Sequence, residues 1–363
     1  MNAIKGRGSR VHLPGRFEVT TAEAVDDGWY LDEGEEFAAP RLRTTVTEET
    51  ARSIISRNQS PDIPFSQSAN PYRGCEHGCS YCFARPSHAY LNLSPGLDFE
   101  TRLFAKTNAP ELLRRELAKP GYVPSPIALG INTDAYQPIE RRLELTRRMI
   151  EVFWETRHPF TLITKNALVV RDLDLLAPLA REKLVSVHFS VTTLDPHLSA
   201  RLEPRASAPH ARLRAMRQLH EAGVPVGAMM APVIPWINDA ELEAIVTAVA
   251  EHGATSIGYI LLRLPHEVSP LFRDWLQAHY PDRAMHVMST IQQLRGGKDY
   301  DSRFGTRFSG QGVYADLLAR RFALALRRTG VDGKRYPALD VTKFRRPVLA
   351  APARPPSPQG SLF

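Results

Sequence analysis

The sequence predicts an α/β fold, an open partial (β/α)6 barrel of parallel strands with N- and C-terminal extensions. Three observations predict it. Short apolar runs alternate with stretches of helical period, six such runs occur, and helix start and stop signals fall between them. Strand–helix alternation implies parallel strands joined by crossovers. Six units are too few for an eight-fold barrel, so the sheet is expected to stay open.

The apolar runs lie at 68–73, 127–131, 160–164, 184–192, 225–232 and 256–262. Between them, residues 139–156 place Ile139, Leu143, Ile150 and Phe153 on one side at the 3.6-residue period. Residues 172–181 do so with Leu173, Leu176 and Ala180, and residues 209–222 with Leu213, Met216 and Leu219, stopping at Gly223. Residues 239–252 present Leu242, Ile245, Val246 and Val249, with Asn238 and Glu241 spaced as a capping box. Four segments are expected. They are an extension over 1–60 with a short helix at 47–56, the core over 61–290, a basic and partly helical segment over 291–346, and a disordered tail over 347–363 rich in Pro, Ala and Ser.

Of the 363 residues, 43% are hydrophobic and 23% charged, enough apolar material for a sizeable core. No apolar run approaches a membrane span, and the basic N-terminus has no apolar stretch behind it. Neither anchor nor secretion signal is expected, and the cytoplasm is the default compartment. The formal charge of +7 is unevenly placed. Residues 298–346 hold twelve Lys/Arg against five Asp/Glu, whereas residues 21–40 hold seven carboxylates and no base. The basic segment fits contact with nucleic acid or another polyanion; it also fits a solvated helix face.

Only three cysteines occur, all within NPYRGCEHGCSYCFARP. An odd, clustered set is no disulfide framework and points to a metal site. Structural zinc takes four ligands, so a Cys3His site would need His77 or His88. Iron–sulfur clusters are held by thiolates. On a four-iron cluster, Cys75, Cys79 and Cys82 leave one iron open to bind something else.

This spacing, with Tyr81 before the last cysteine, resembles the radical S-adenosylmethionine (radical SAM) superfamily. The stretches SPDIPFSQSANPYRGCEHGCSYCFARPSHAYLNLSPGLDFE, GINTDAYQPIER, LITKN, HFSVTTLD, EPRASAPHARL, APVIPWIND and LRLPHEV are similar to its spore photoproduct lyase-related group. The likeness is greatest to a bacterial subgroup of mostly unknown substrate and covers about residues 58–325. It implies a partial TIM-type barrel and a [4Fe–4S] cluster on Cys75, Cys79 and Cys82. The open iron would chelate S-adenosylmethionine through its amino and carboxylate groups.

The resemblance also implies roles for residues ending the predicted strands, where ligands of such folds gather. Thr133 and Asp134 match a position at the methionine ammonium, and they also read as capping residues ahead of Ile139. Lys165 matches a lysine near the cofactor's carboxylate or ribose, and Ser190 a serine there. Thr192 is a further contact or an ordinary β-branched strand residue. Arg205 suits a carboxylate clamp; Glu203 reads equally as a surface partner of Arg205 or Arg201. Tyr81 and the backbone at 230–232 belong near the adenine. His77 and His88 read as supporting donors rather than ligands. By strand order, Tyr136, Tyr259 and Arg263 are expected at the mouth as substrate contacts.

The implied chemistry is reductive cleavage of S-adenosylmethionine to methionine and a 5′-deoxyadenosyl radical, which takes hydrogen from a substrate the sequence does not name. An external one-electron donor of flavodoxin or ferredoxin type is implied too. Two alternatives stand beside this reading: a DNA photolesion lyase, and a non-catalytic zinc protein that binds nucleic acid. Spore photoproduct lyases return hydrogen from an extra cysteine just ahead of the Thr/Ser-Asp motif. Here Ile131 and Asn132 stand there, so a different substrate or quenching route is expected.

Overall fold

β-branched and small apolar residues favour strands that are buried on both faces. In the computed structural model, which describes residues 6–17, 42–331 and 338–349, they build most of one seven-stranded sheet. In chain order the strands are β1 (Thr45–Glu49), β2 (Ile55–Arg57), β3 (Gln67–Ala69), β4 (Tyr72–Arg73) and β5 (Arg102–Lys106). They continue with β6 (Ile127–Leu129), β7 (Phe160–Thr164), β8 (Val185–Ser190), β9 (Val226–Val233) and β10 (Ala254–Leu261). The large sheet has the order β10-β9-β8-β7-β6-β3-β2. Its first six strands are parallel, and β2 runs antiparallel along β3. Six parallel strands in an open sheet are what the sequence predicts.

Helices cover one face of β8, β9 and β10. Val185, Val187 and Phe189 of β8 belong to the main core, while Ser186, His188 and Ser190 alternate onto the other face. That inner face is tight near its centre: a Cβ on Gly227 would lie 2.2 Å from His188 Cδ2 and 2.7 Å from Ser256 Oγ. A second apolar cluster joins Cys79 and Tyr81 to Ile234, Leu262, Val268 and Phe272. Helices Val268–His279 and Pro281–Leu294 supply much of it. They therefore pack against the cysteine loop.

Several expectations are corrected. Residues 47–56 form no helix; β1 and β2 stand there instead. Consecutive β-branched Thr45, Val46 and Thr47 favour extended backbone, and Glu116 accepts from the N–H groups of Ile54 and Ile55 at 2.7 and 3.2 Å. The run at 68–73 divides at Pro71, and β4 leaves the large sheet to pair with β5. With β1 these two make a separate three-stranded sheet. Glu144, at φ 50°, breaks the expected helix at 139–156 into Glu140–Leu143 and Leu145–Thr156. The Asn238–Glu241 capping box does not form. Asn238 accepts from Ile234 N–H and donates to Thr192 and Pro232 carbonyls, and Glu241 accepts from the Thr193 hydroxyl and from Leu194 N–H. Both side chains thus brace the ends of β8 and β9.

In the basic C-terminal segment, helix Val313–Thr329 lies against helix Leu242–Glu251. Arg303, Arg307 and Arg321 pair with Asp301, Asp62 and Glu243, leaving Arg320, Arg327 and Arg328 on the exposed side. Of the expected tail, residues 350–363 lie outside the described residues. No helix among the described residues is long and apolar enough to cross a membrane.

Candidate cofactor site

The cysteines occupy the loop between β4 and the short helix Arg85–Leu91, and this loop folds on itself. Gly78 N–H donates to Cys75 O at 3.3 Å and Cys82 N–H to Cys79 O at 3.2 Å. The loop is fastened from outside by Cys75 N–H to Phe99 O, Ser80 N–H to Leu202 O, and Arg85 Nε to Cys79 O. Cys75 and Cys79 are buried and Cys82 is partly open. Burial, then Asp134 and Cys79, pushes the Cys75 thiol well up. Burial likewise pushes Cys79 up to about 12, with Glu203 and Cys82 acting against the opposing charge of Lys165. Metal binding at Cys75 and Cys79 must therefore displace thiol protons.

The donor set suits an iron–sulfur cluster. Three thiols share one loop, and Ser80 Oγ, buried between Cys79 and Tyr81, has no hydrogen-bond partner. An unused hydroxyl there can donate to a cluster sulfur. Among the described residues no three His, Cys, Asp or Glu side chains converge closely enough for a single ion. Thiolates around a four-iron cube stand wider apart than ligands of one ion. His77 is also unsuited to complete a zinc site: Nδ1 lies 3.3 Å from Asp134 and Nε2 3.4 Å from Asn166. His88 Nε2 meets Arg102 O at 3.0 Å, its ring sits against Phe99, and its Nδ1 has no partner.

At the end of β6, Asp134 is a buried junction. Its carboxylate accepts from Tyr136 N–H at 2.8 Å, Thr164 Oγ1 at 2.7 Å and Lys165 N–H at 2.7 Å, besides His77. Burial raises this carboxyl, but His77 and the surrounding donors outweigh it and bring it down to about 2. Asp134 thus ties the cysteine loop to the ends of β6 and β7. Thr133 Oγ1 has only a 3.4 Å contact to its neighbour's carbonyl. Arg205, beyond β8, forms an ion pair with Glu76 of the cysteine loop at 3.1 Å.

A second buried junction was not foreseen. Glu203 accepts from Tyr81 Oη, from Thr192 Oγ1 at 2.7 Å and from the Arg212 guanidinium. Its partner is Arg212, a helix residue, rather than Arg205 or Arg201. Burial raises the Glu203 carboxyl, yet Arg212, Lys165 and the two hydroxyls bring it down to about 2. The Lys165 amine lies 5.8 Å from the Tyr81 ring centre. Burial lowers its pKa, but nearby Cys79 and Glu203 turn the shift upward, so it carries charge beside the cysteine loop. Ser190 Oγ donates to Ala231 O at 3.2 Å. Tyr81, Lys165, Ser190 and Thr192 thus gather at one end of the sheet, alongside the backbone at 230–232.

The three expected substrate contacts separate. Tyr136 is enclosed in the main core and donates to Asp172 at 2.8 Å, so it does not face the mouth. Tyr259 packs its ring on Phe322 of helix Val313–Thr329, with centroids 4.8 Å apart, on the helix-covered side. Arg263 does stand beyond the end of β10, its guanidinium 5.5 Å from the centre of the exposed Phe83 ring beside Cys82.

An open six-stranded parallel α/β sheet with a three-cysteine loop at its strand ends defines a class of cofactor-dependent protein. Residues 69–249 match the family described as Radical SAM superfamily, and the chain belongs to it. Enzymes of this family use a [4Fe–4S] cluster and S-adenosylmethionine, and they need an external electron donor. Uncharacterised proteins of Mycobacterium tuberculosis and Mycobacterium bovis are each 38% identical over 222 residues, or 61% of this chain. The match spans 65% of those relatives' length. An uncharacterised protein of Methanocaldococcus jannaschii is 26% identical over 213 residues, 59% of this chain and 76% of its own. Spore photoproduct lyase complexed with dinucleoside spore photoproduct has the same fold, with a TM-score of 0.55 at 16% identity over 80% of this chain and 81% of the lyase. A mutant of that lyase with bound AdoMet and the dinucleoside gives 0.54 at 14% identity over the same shares.

Proposed function

We propose that this chain is a radical SAM enzyme in which Cys75, Cys79 and Cys82 hold a [4Fe–4S] cluster. Thr133, Asp134, Lys165, Ser190, Thr192 and Arg205 position S-adenosylmethionine over it, with Tyr81 toward the adenine. The observation that carries the reading is the loop itself: three thiols and an unpartnered buried hydroxyl at the C-terminal ends of parallel strands. When bound, the pair supplies one-electron cleavage of a sulfonium and hydrogen abstraction from an unreactive carbon. The protein's own residues orient and shield. Lys165 offers a cation to the cofactor's carboxylate, and Thr133 offers a hydroxyl that the fold barely uses. Glu203 fixes Tyr81, and the helices that pack on the loop keep water away. Arg263 and Phe83 lie where a substrate would approach, and the buried Nε of Arg263 has no partner. The compartment is the cytoplasm, and the electron donor is of flavodoxin or ferredoxin type.

The substrate is not spore photoproduct. All three cysteines are committed to iron, and Ile131 and Asn132 occupy the place where a thiol would return hydrogen. Tyr136, the nearest phenol in sequence, is sequestered by Asp172. Anaerobically reconstituted, reduced protein should form 5′-deoxyadenosine from S-adenosylmethionine; none, with a full cluster present, rejects the activity. Given a photoproduct-containing oligonucleotide, it should restore little thymine. Repeated clean turnover to thymine would make the lyase reading correct.

A further inference from the structure

Of residues 6–17, the first part lies on the cysteine loop at Gly78–Ser80, and the rest runs on past residues 89–96. Gly8 is pressed on its backbone: an added Cβ would come within 1.6 Å of Gly78 O and 3.2 Å of Ser80 N. No side chain fits without lifting one segment off the other. Gly78 itself backs onto Glu100, whose Oε2 is 2.6 Å from where a Cβ would stand.

Glu100 is fully buried and joins the two segments. Its carboxylate accepts from Gly8 N–H at 2.9 Å, from Ser9 N–H at 2.8 Å and from the Arg85 guanidinium. Arg85 in turn donates through Nε to Cys79 O at 2.8 Å. Arg7, also buried, donates to Glu100 O at 2.9 Å, and to Leu42 O at 2.7 Å and Thr44 Oγ1 at 3.0 Å. Thr44 donates to Glu76, next to Cys75, at 2.6 Å. Farther along, Arg10 lies 3.6 Å from Asp274 and Arg16 2.7 Å from Glu267. The segment is therefore anchored to the cysteine loop at one end and to helix Val268–His279 at the other. A buried carboxylate is tolerated only when donors surround it. Two of the donors to Glu100 come from this segment.

We infer that residues 6–17 are a strap forming one wall of the cluster housing, with Gly8 and Glu100 as positioning residues for the Cys75–Cys79 turn. The inference rests on the three cysteines holding the cluster. Lifting the strap opens the turn at Gly78–Ser80 to water and withdraws two donors from Glu100, the carboxylate that holds Arg85 against Cys79 O. Solvent access and hydrogen bonding govern both the lifetime and the potential of such clusters. The strap thus protects the cluster and tunes it, without touching substrate.

The test compares full-length wild type, Gly8→Ala and Arg7→Met, with His12→Gln as a strap control whose side chain is largely exposed. Each is reconstituted anaerobically, and three quantities follow: iron per chain, the rate of visible bleaching in air or chelator, and the midpoint potential. Far-UV circular dichroism and melting of the iron-free proteins monitor the fold. Gly8→Ala and Arg7→Met should lose cluster at least ~10-fold faster than wild type, the equivalent of one or two hydrogen bonds. Their potentials should rise, because water favours the more negatively charged reduced state. His12→Gln should match wild type. Withdrawing donors from Glu100 lowers the iron-free melting point of Gly8→Ala. Cluster loss should exceed that lowering and come with the potential shift, which a loss of stability alone does not produce. Wild-type lifetimes and potentials in both variants overturn the inference, and so does cluster loss that only parallels a lowered iron-free melting point. Absence of iron from the wild type itself instead refutes the cluster ligation on which the strap's role rests.

Discussion

Replacing Glu203 by Leu strands a charge. Arg212 is 1% exposed and keeps two carbonyl acceptors, Ser190 O at 2.8 Å and Ser207 O at 2.7 Å, but loses the carboxylate it pairs with. Breaking a buried pair from one side costs about 3–5 kcal/mol. The hydroxyls add little beyond this, because Thr192 retains a 3.4 Å contact with Ala231 O and Tyr81 keeps Thr192 as a neighbour. Replacing both partners, Glu203→Leu with Arg212→Met, removes the stranded charge and should recover most of the loss, to within about 1–2 kcal/mol of wild type. Urea unfolding of the reconstituted proteins, followed by circular dichroism, gives both differences if slopes are equal. A single variant costing under about 1 kcal/mol, or a double variant no better than the single, refutes this account of the junction.

Other outcomes follow from the same geometry. Ser190→Ala should weaken S-adenosylmethionine binding by about 1–3 kcal/mol in calorimetry while iron content stays at the wild-type level; unchanged affinity removes Ser190 from the site. Asp134→Ala should weaken binding and lower iron retention together, because it frees His77 as well as the end of β7. Full iron content in that variant means that Asp134 does not brace the loop. His158, buried between Tyr122 and Phe344, has its pKa lowered to about 4 by burial, despite a bond to Pro159 O. Its folded form resists protonation, so its contribution is intact above the unfolded value of about 6.5 and declines by up to ~1.4 kcal/mol per pH unit toward 4. His158→Gln should flatten the stability–pH curve in that window; an unchanged slope contradicts the assignment.

The parts legible in the sequence are those with local causes. Six apolar runs with intervening helical periods fixed the parallel sheet, and the cysteine spacing located the loop within eight residues. Relations across long separations were not legible. Glu100 meets Gly8 from 92 residues away, and no period or motif links them. Glu203 finds Arg212 because the chain turns back through helix Pro209–Glu221, whereas adjacency in sequence favoured Arg205. Arg212 stands at helical spacing from Met216 and Leu219, a signal that the helix buries a cation. Direction also escaped. Tyr136 follows a strand end, but Asp172 draws its ring inward, and the Asn238–Glu241 pair obeys a capping pattern while serving β8 and β9.

Iron and sulfide analysis with electron paramagnetic resonance of the anaerobically reconstituted protein tests the central claim most directly, for wild type and for Cys75→Ala, Cys79→Ala and Cys82→Ala. Three thiolates on one loop predict about four irons and four sulfides per chain, with a reduced-state signal that changes when S-adenosylmethionine is added. Each substitution should abolish both the iron and the signal. Stoichiometric zinc without iron, after anaerobic purification from iron-replete cells, would contradict the account.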